Sequence, residues 1–210
     1  MIKDLTKGSP IKAILGFAVP MLFGNLFQQM YNMADSIIVG KYVGVKALAA
    51  VGGTGAINFL VLGFIIGVSS GFMIPVSQAF GAKDFDRLRR LVTNAAWLSL
   101  IVGSIITVLT VTLTKPMLRL MNTPDDIFQG SYEYIGTIFA GILGIMFYNL
   151  LSGIMRALGD SKTPLYFMIF SSFVNIALDL LFVLVFKMGV FGAAFATDIS
   201  QFISCILCFL

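Results

Sequence analysis

An all-α membrane protein, built as a bundle of six transmembrane helices, is the fold this sequence predicts. Three observations carry that reading. Hydrophobic residues make up 58% of the 210 residues and charged residues only 11%, and the mean hydropathy of +0.96 lies well outside the range of soluble domains. Apolar runs with at most two charged residues each, long enough to cross a bilayer, recur at about 12–38, 53–80, 91–114, 131–155, 164–186 and 190–210. The 21 glycines suit close approach between membrane helices, and the 20 phenylalanines suit a lipid-facing surface.

The spans are justified in order. The first opens at Ser9-Pro10, an N-cap followed by a first helical residue, and carries Pro20 and several polar side chains. Its length and content mark a retained helix rather than a cleaved signal. The uncharged run 47–82 is too long for one untilted span and too short for two with a turn. Its glycine-rich start is read as a lead-in to a single second helix. The third span follows a basic segment. Thr123-Pro124-Asp125-Asp126 introduces the fourth, with acids in the first turn. Gly159-Asp160 is the turn before the fifth, which Thr163-Pro164 opens. The sixth runs into the apolar sequence I-S-C-I-L-C-F-L with no basic residue after it, so the chain reads as a fragment that stops at or near the end of that helix.

The basic residues orient the bundle. With a cytoplasmic N-terminus, the inside segments hold nine: Lys3, Lys7, Lys12, Lys83, Arg87, Arg89, Arg90, Arg156 and Lys162. The outside segments hold five: Lys41, Lys46, Lys115, Arg119 and Lys187. That asymmetry predicts a multi-pass protein of the cell membrane with its N-terminus in the cytoplasm.

Composition also excludes function classes. Histidine is absent, which removes the commonest metal ligand and general base. Cys205 and Cys208 sit one turn apart in an apolar run and read as small helix residues, not as a redox or zinc pair. The net charge of +4 comes from loop lysines and arginines and is no nucleic-acid signal. No cofactor is expected.

Polar residues form stripes. Asn25, Gln28, Asn32 and Asp35 follow at steps of 3, 4 and 3 along one helix face, flanked by Gln29 and Tyr31. Asn149, Ser152 and Arg156 form a second stripe, Ser171, Asn175 and Asp179 a third, and Thr197, Gln201 and Ser204 a fourth. A lipid-facing helix does not keep such a line, so the stripes predict one shared polar interior. Interhelical hydrogen bonds of about 1 kcal/mol each account for several of the hydroxyls and amides. They do not account for Asp35 and Asp179, which have no lysine or arginine at matching depth. Burial and mutual repulsion disfavour two bare negative charges, so such a pair holds a proton or a small hard cation, with amide and hydroxyl oxygens completing the site. Cation occupancy would then act on helix packing, and Pro20 marks a place where the first helix can bend. Asp198, next to Thr197, points about 100° away around its helix. It either lines the same cavity or sits at a helix interface.

These residues bring a family into view. S-P-I-x(4)-G-F-A-V-P, Q-Q-M-Y-N-M-A-D-S-I-I-V-G-K-Y-V-G, A-L-A-A-V-G, S-G-I-M-R-A-L-G-D-S-K-T-P, N-I-A-L-D and G-A-A-F-A-T-D-I-S-Q together cover nearly the whole chain. The sequence resembles the MATE family of multidrug and toxic compound extruders, and within it the DinF-like branch. The resemblance implies the N-terminal six-helix lobe of a twelve-helix transporter, 1–210, partnered by a C-terminal lobe and embedded in the lipid bilayer. It implies a cation site at Asp35, Asn175, Asp179 and Thr197, supported by Gln28, Asn32, Tyr134 and Asn149, with Pro20 as the bend. It implies antiport of Na+ or H+ against drug-like organic cations or amphipathic compounds, with Met21, Met30, Met33 and Met146 either offering adaptable apolar contacts or simply packing against lipid or other helices. Asp198 is not part of the family pattern. Two other readings compete. A flippase for lipid-linked saccharides would present cations to a phosphate, whereas this interior is acidic apart from Arg156. An intramembrane aspartyl enzyme would need a dyad of Asp35 and Asp179, but stripes several turns long suit a pathway rather than a point catalyst, so no enzyme is expected.

Overall fold

The computed structural model describes residues 10–209, and those residues are helical almost throughout with no strand among them. The predicted cap at Ser9, together with Lys3 and Lys7, lies outside the described residues. Helix α1 spans Pro10–Ile38 and continues as a π turn, Val39–Val43. Gly44 ends it at φ 118°, a conformation that side chains resist. The expected lead-in is itself a helix, α2, Val45–Gly53. Ala47, Leu48, Ala49 and Ala50 are strong helix formers, and Gly52-Gly53 stops them. Thr54 then separates α2 from α3, Gly55–Gly81.

Helix α4 covers Phe85–Leu120, longer at both ends than the apolar window 91–114. A helix need not end where apolarity does. Asp84 accepts a hydrogen bond from the Arg87 N–H at 3.0 Å and caps the first turn, so the charged residues 86–90 stay helical outside the apolar stretch. The predicted fourth span, 131–155, is two helices: α5, Asp125–Ala140, and α6, Ile142–Ala157, bent by 45° at Gly141. Helix α7, Lys162–Leu180, continues into a π turn, Leu181–Val185, and α8 covers Gly189–Phe209. The start of α7 is held by Asp160 rather than by Thr163. Its Oδ1 accepts from the Lys162 and Thr163 N–H groups, both at 3.1 Å, and its Oδ2 from the Thr163 hydroxyl at 2.7 Å. Burial pushes the Asp160 carboxyl up, but the Thr163 hydroxyl and the two N–H groups outweigh it and hold the group below the usual carboxylate range.

Among the described residues, four helices are each long and apolar enough to cross a membrane: α3, α4, α7 with its π turn, and α8. The bent pair α5–α6 makes a fifth when taken as one span. The first predicted span corresponds to the 29 residues of α1.

Helices α6 and α8 are central. α8 packs against α5, α6 and α7, α6 packs against α3, α4 and α8, and α1 lies along α7. One apolar core joins Ile65, Leu118, Ile135, Phe139, Ile142 and Met146 from α3 to α6. The other joins Ile38, Val39, Tyr134, Ile138, Val183 and Ala194 near one end of α1. Outward faces carry Phe59, Leu60, Trp97, Tyr166 and Phe173, all well exposed. So many exposed large apolar side chains suit lipid rather than water. The two cores leave a space between α1 and the α3–α6–α8 wall.

Candidate functional site

That space is a polar cavity of about 410 Å³. All four stripe residues of α1 line it: Asn25, Gln28, Asn32 and Asp35. Opposite stand Asn58 and Ser70 of α3, Tyr134 of α5, Tyr148, Asn149, Ser152 and Arg156 of α6, and Thr197 and Gln201 of α8. Pro20, Met21, Gly24, Pro164, Leu165 and Met168 also line it. From Pro20 to Asp35 the cavity tracks α1 for roughly 22 Å, at 1.5 Å per residue. The 3.6-residue period explains the convergence: each stripe is one helix face, and those faces meet where no lipid can.

The stripe of α7 lies behind this wall and not on the cavity. Ser171 donates to the Ser200 carbonyl at 2.6 Å, and the Asn175 amide to Thr197 Oγ1 at 3.4 Å. A second space of about 20 Å³, close to the size of one water, lies beside Asn175, Ser200 and Ser204. The predicted cation residues therefore meet across the α7–α8 contact, with Asp35 on the cavity side.

Their burial is the decisive feature. Asp179 has no exposed surface, Asn175 is 1% exposed, Asp35 5% and Thr197 9%. Both Asp179 oxygens, Asp35 Oδ1 and Asn175 Oδ1 are buried without a hydrogen-bond donor. Asp35 and Asp179 are close enough for their charges to interact, and the Tyr134 hydroxyl is within hydrogen-bonding reach of Asp35. Buried acceptors without donors cost free energy until a proton or a cation supplies the missing partner. The donor set is all oxygen, which fits a hard ion such as Na+, or a proton. Among the described residues no group of three or more His, Cys, Asp or Glu side chains is set to hold a metal, so amide and hydroxyl oxygens would have to complete any ion shell.

The supporting residues fall as follows. Gln28 lines the cavity, the Asn32 amide donates to Gln29 Oε1 at 3.3 Å, and the Asn149 amide donates to the Ile145 carbonyl at 2.8 Å. Helix α1 stays helical through Pro20, which has no N–H for the Gly16 carbonyl. The methionines divide between the two readings. Met30 and Met33 are exposed and face outward, Met146 is core, and only Met21 of the four lines the cavity. Met30 and Met33 sit on α1 away from the Asn25–Asp35 stripe, which already required their outward place. Of the cavity lining, Asn58, Ser70 and Tyr148 escaped the sequence reading. Asn58, with a buried unpartnered Oδ1, is the one amide in the stretch 55–77 of its helix, and that was its only signal. Tyr31, beside the stripe, lies within reach of Gln201. Asp198 is placed at an interface: it packs against Gly141 at the α5–α6 bend.

The MatE family model matches residues 20–181. The chain belongs to the MATE family. It is 36% identical over 200 residues to the Bacillus subtilis (strain 168) protein named "Probable multidrug resistance protein YpnP", covering 94% of this chain and 44% of that one. It is 30% identical over 199 residues to the "Probable multidrug resistance protein NorM" of Thermotoga maritima, covering 91% and 42%. A solved MATE structure in the bent conformation superposes with a TM-score of 0.89 at 31% identity, over 96% of this chain and 45% of that one. A MOP-superfamily transporter from Pyrococcus furiosus, described for the reversed polarity of its binding pocket, superposes with a TM-score of 0.91 at 31% identity, over 98% and 45%. The chain thus spans a little under half the length of these MATE relatives.

Proposed function

We propose that this chain is the N-terminal, ion-coupling lobe of a secondary active multidrug exporter of the cell membrane, its N-terminus cytoplasmic. A second lobe would complete the substrate path, and the imported ion, Na+ or H+, would drive export of an organic cation or amphipathic compound. The observation that carries this reading is the cluster of buried oxygens without a donor, Asp35 Oδ1, Asn175 Oδ1 and both Asp179 oxygens, with no cationic side chain among them. Filling that cluster relieves repulsion between α1 and α7 and lets them pack closely. Emptying it leaves two carboxylates pushing the helices apart. Because Asp35 also lines the cavity, a substrate cation and the coupling ion compete for one carboxylate, which is the requirement for exchange. The protein's share of the work is thus electrostatic: an occupied and an empty site favour different packings of the same helices. No observation favours the flippase alternative.

The test is dye efflux from vesicles holding the intact protein, with Asp35→Asn beside it, under separately imposed Na+ and pH gradients. Efflux driven by one gradient and lost in the variant supports the reading and names the ion. Efflux that ignores both gradients, or persists unchanged in Asp35→Asn, sinks it.

A further inference from the structure

Helix α4 stands apart from the site. Among the described residues, none of α4 lines the cavity, and its packing partners are α3, α5 and α6 rather than α1. Of the four helices that are each long and apolar enough to cross a membrane, α4 is the least covered by the rest of the chain.

Its two faces separate by helical period. Ala95, Ser99, Gly103 and Thr110 are buried, and they lie about 140–220° around the axis from Arg90. Trp97, Ile101, Ile105 and Val108 lie within about 60° of Arg90, and they are 62%, 52%, 53% and 62% exposed. Arg87, nearly one turn before Arg90, falls on the same side. An outward apolar stripe therefore runs straight into two arginines.

Length places those arginines at a membrane edge. The uncharged run 91–114 rises about 36 Å, a little more than the roughly 30 Å of a hydrocarbon core. Arg90 and Lys115 bound that run. Lys115 shares the stripe but is engaged, with its Nζ 4.9 Å from the centre of the Tyr132 ring. Arg87 and Arg90 are exposed, and among the described residues neither is in an ion pair. Of the two acids nearby, Asp84 is occupied with capping the Arg87 N–H. Lys83, Arg87, Arg89 and Arg90 outnumber Asp84 and Asp86, so positive charge is left over at this edge. Trp97 sits about 10 Å from Arg90 along the axis, which puts an indole at the boundary of headgroups and acyl chains when the guanidiniums lie among the headgroups.

We propose that Arg87 and Arg90, with Trp97 beneath them, seat the phosphate of an anionic phospholipid from the leaflet beside them. A guanidinium presents a planar fork of donors that matches phosphate oxygens in pairs. The excess positive charge selects a headgroup with net negative charge over one that carries its own cation. The stripe selects a lipid over a free phosphate, because only a lipid brings acyl chains to cover Trp97, Ile101 and Val108 while its headgroup reaches the arginines. The seat lies on the side of α4 away from the cavity and does not rest on the antiport reading.

Trp97 is this chain's one tryptophan and reports on its own lipid neighbours. The experiment reconstitutes the intact protein in mixed bilayers in which either phosphatidylglycerol or phosphatidylcholine carries brominated acyl chains, which quench an indole on contact. The Trp97→Phe protein supplies the background. The parent is expected to prefer phosphatidylglycerol beside Trp97 by about fivefold, the worth of one basic residue at an anionic surface. Arg87→Gln combined with Arg90→Gln brings that preference close to parity. Arg89→Gln keeps most of it, because residue 89 points about 100° to the side of Arg90. If the double variant fails to fold, Asp86→Asn takes its place. It removes the acid one turn before Arg90 and is expected to raise the preference, so a preference that does not rise overturns the seat. Absence of quenching by either lipid overturns it too, since protein would then cover the stripe. Parity in the parent, a preference kept in the double variant, or one lost equally in Arg89→Gln does the same. No transport is measured, so this test and the efflux test fail separately.

Discussion

Asp179→Asn should make the protein more stable without ions and less stable with them. Asp179 is fully buried, neither oxygen meets a donor, and Asp35 adds a like charge nearby. Asn175 sits one turn earlier on the same face of α7, with its own Oδ1 unpartnered. Asparagine keeps the shape of the side chain, removes the charge and brings an N–H₂ group into a cluster of acceptors. One or two new hydrogen bonds at about 1 kcal/mol each predict a gain of about 1–2 kcal/mol. At about 2–4 °C per kcal/mol for a chain of this size, the melting temperature in sodium-free alkaline buffer rises by roughly 2–8 °C. Ion binding reverses the order. A ligand at 100 times its Kd stabilises the folded parent by about 2.7 kcal/mol. The variant, with its site filled by its own amide, gains little. The assay is thermal melting of the purified protein followed by the fluorescence of Trp97, with Na+ titrated against choline in one arm and acid in the other. A variant that melts below the parent in ion-free alkaline buffer refutes the reasoning, because the Asp179 oxygens would then have partners worth keeping. A parent whose melting ignores both ions refutes it equally.

Three structural predictions stand beside the efflux test. Asp160→Ala removes the acceptor for both N–H groups at the start of α7 and should cost about 0.5–2 kcal/mol, read by melting. The cap's folded-state value is lowered, so its contribution is complete above the ordinary carboxylate range and fades as pH falls through the lowered value; the gap between parent and variant should close in acid. Gly153→Leu should cost about 1–3 kcal/mol or more, because a Cβ there already lies 2.8 Å from Met73 Cγ across the α3–α6 contact. Gly63→Leu, with open space at its Cβ, should melt close to the parent.

The helices and the polar faces were legible in the linear sequence because both are periodic, local properties. Asn25, Gln28, Asn32 and Asp35 recur at helical spacing, and a line of polar groups in an apolar helix has to face inward whatever its neighbours are. Asp35 and Asp179 announced themselves by the cost of a carboxylate without a partner. The bend at Gly141 did not, because the run 131–155 holds no proline and glycine alone does not break a membrane helix. The 45° bend appears only in the folded chain, where the Asp198 carboxyl packs against residue 141. Asn58 stayed hidden for a related reason: one amide has no period, and only the arrival of α1 opposite α3 makes it part of a wall. The division between cavity and buried cluster was likewise tertiary. Spacing puts Asn175 and Asp179 on one face of α7, but whether that face meets water or the backbone of α8 depends on the crossing of two helices distant in sequence. Local spacing determines which side of a helix is polar; packing between helices decides what that side touches.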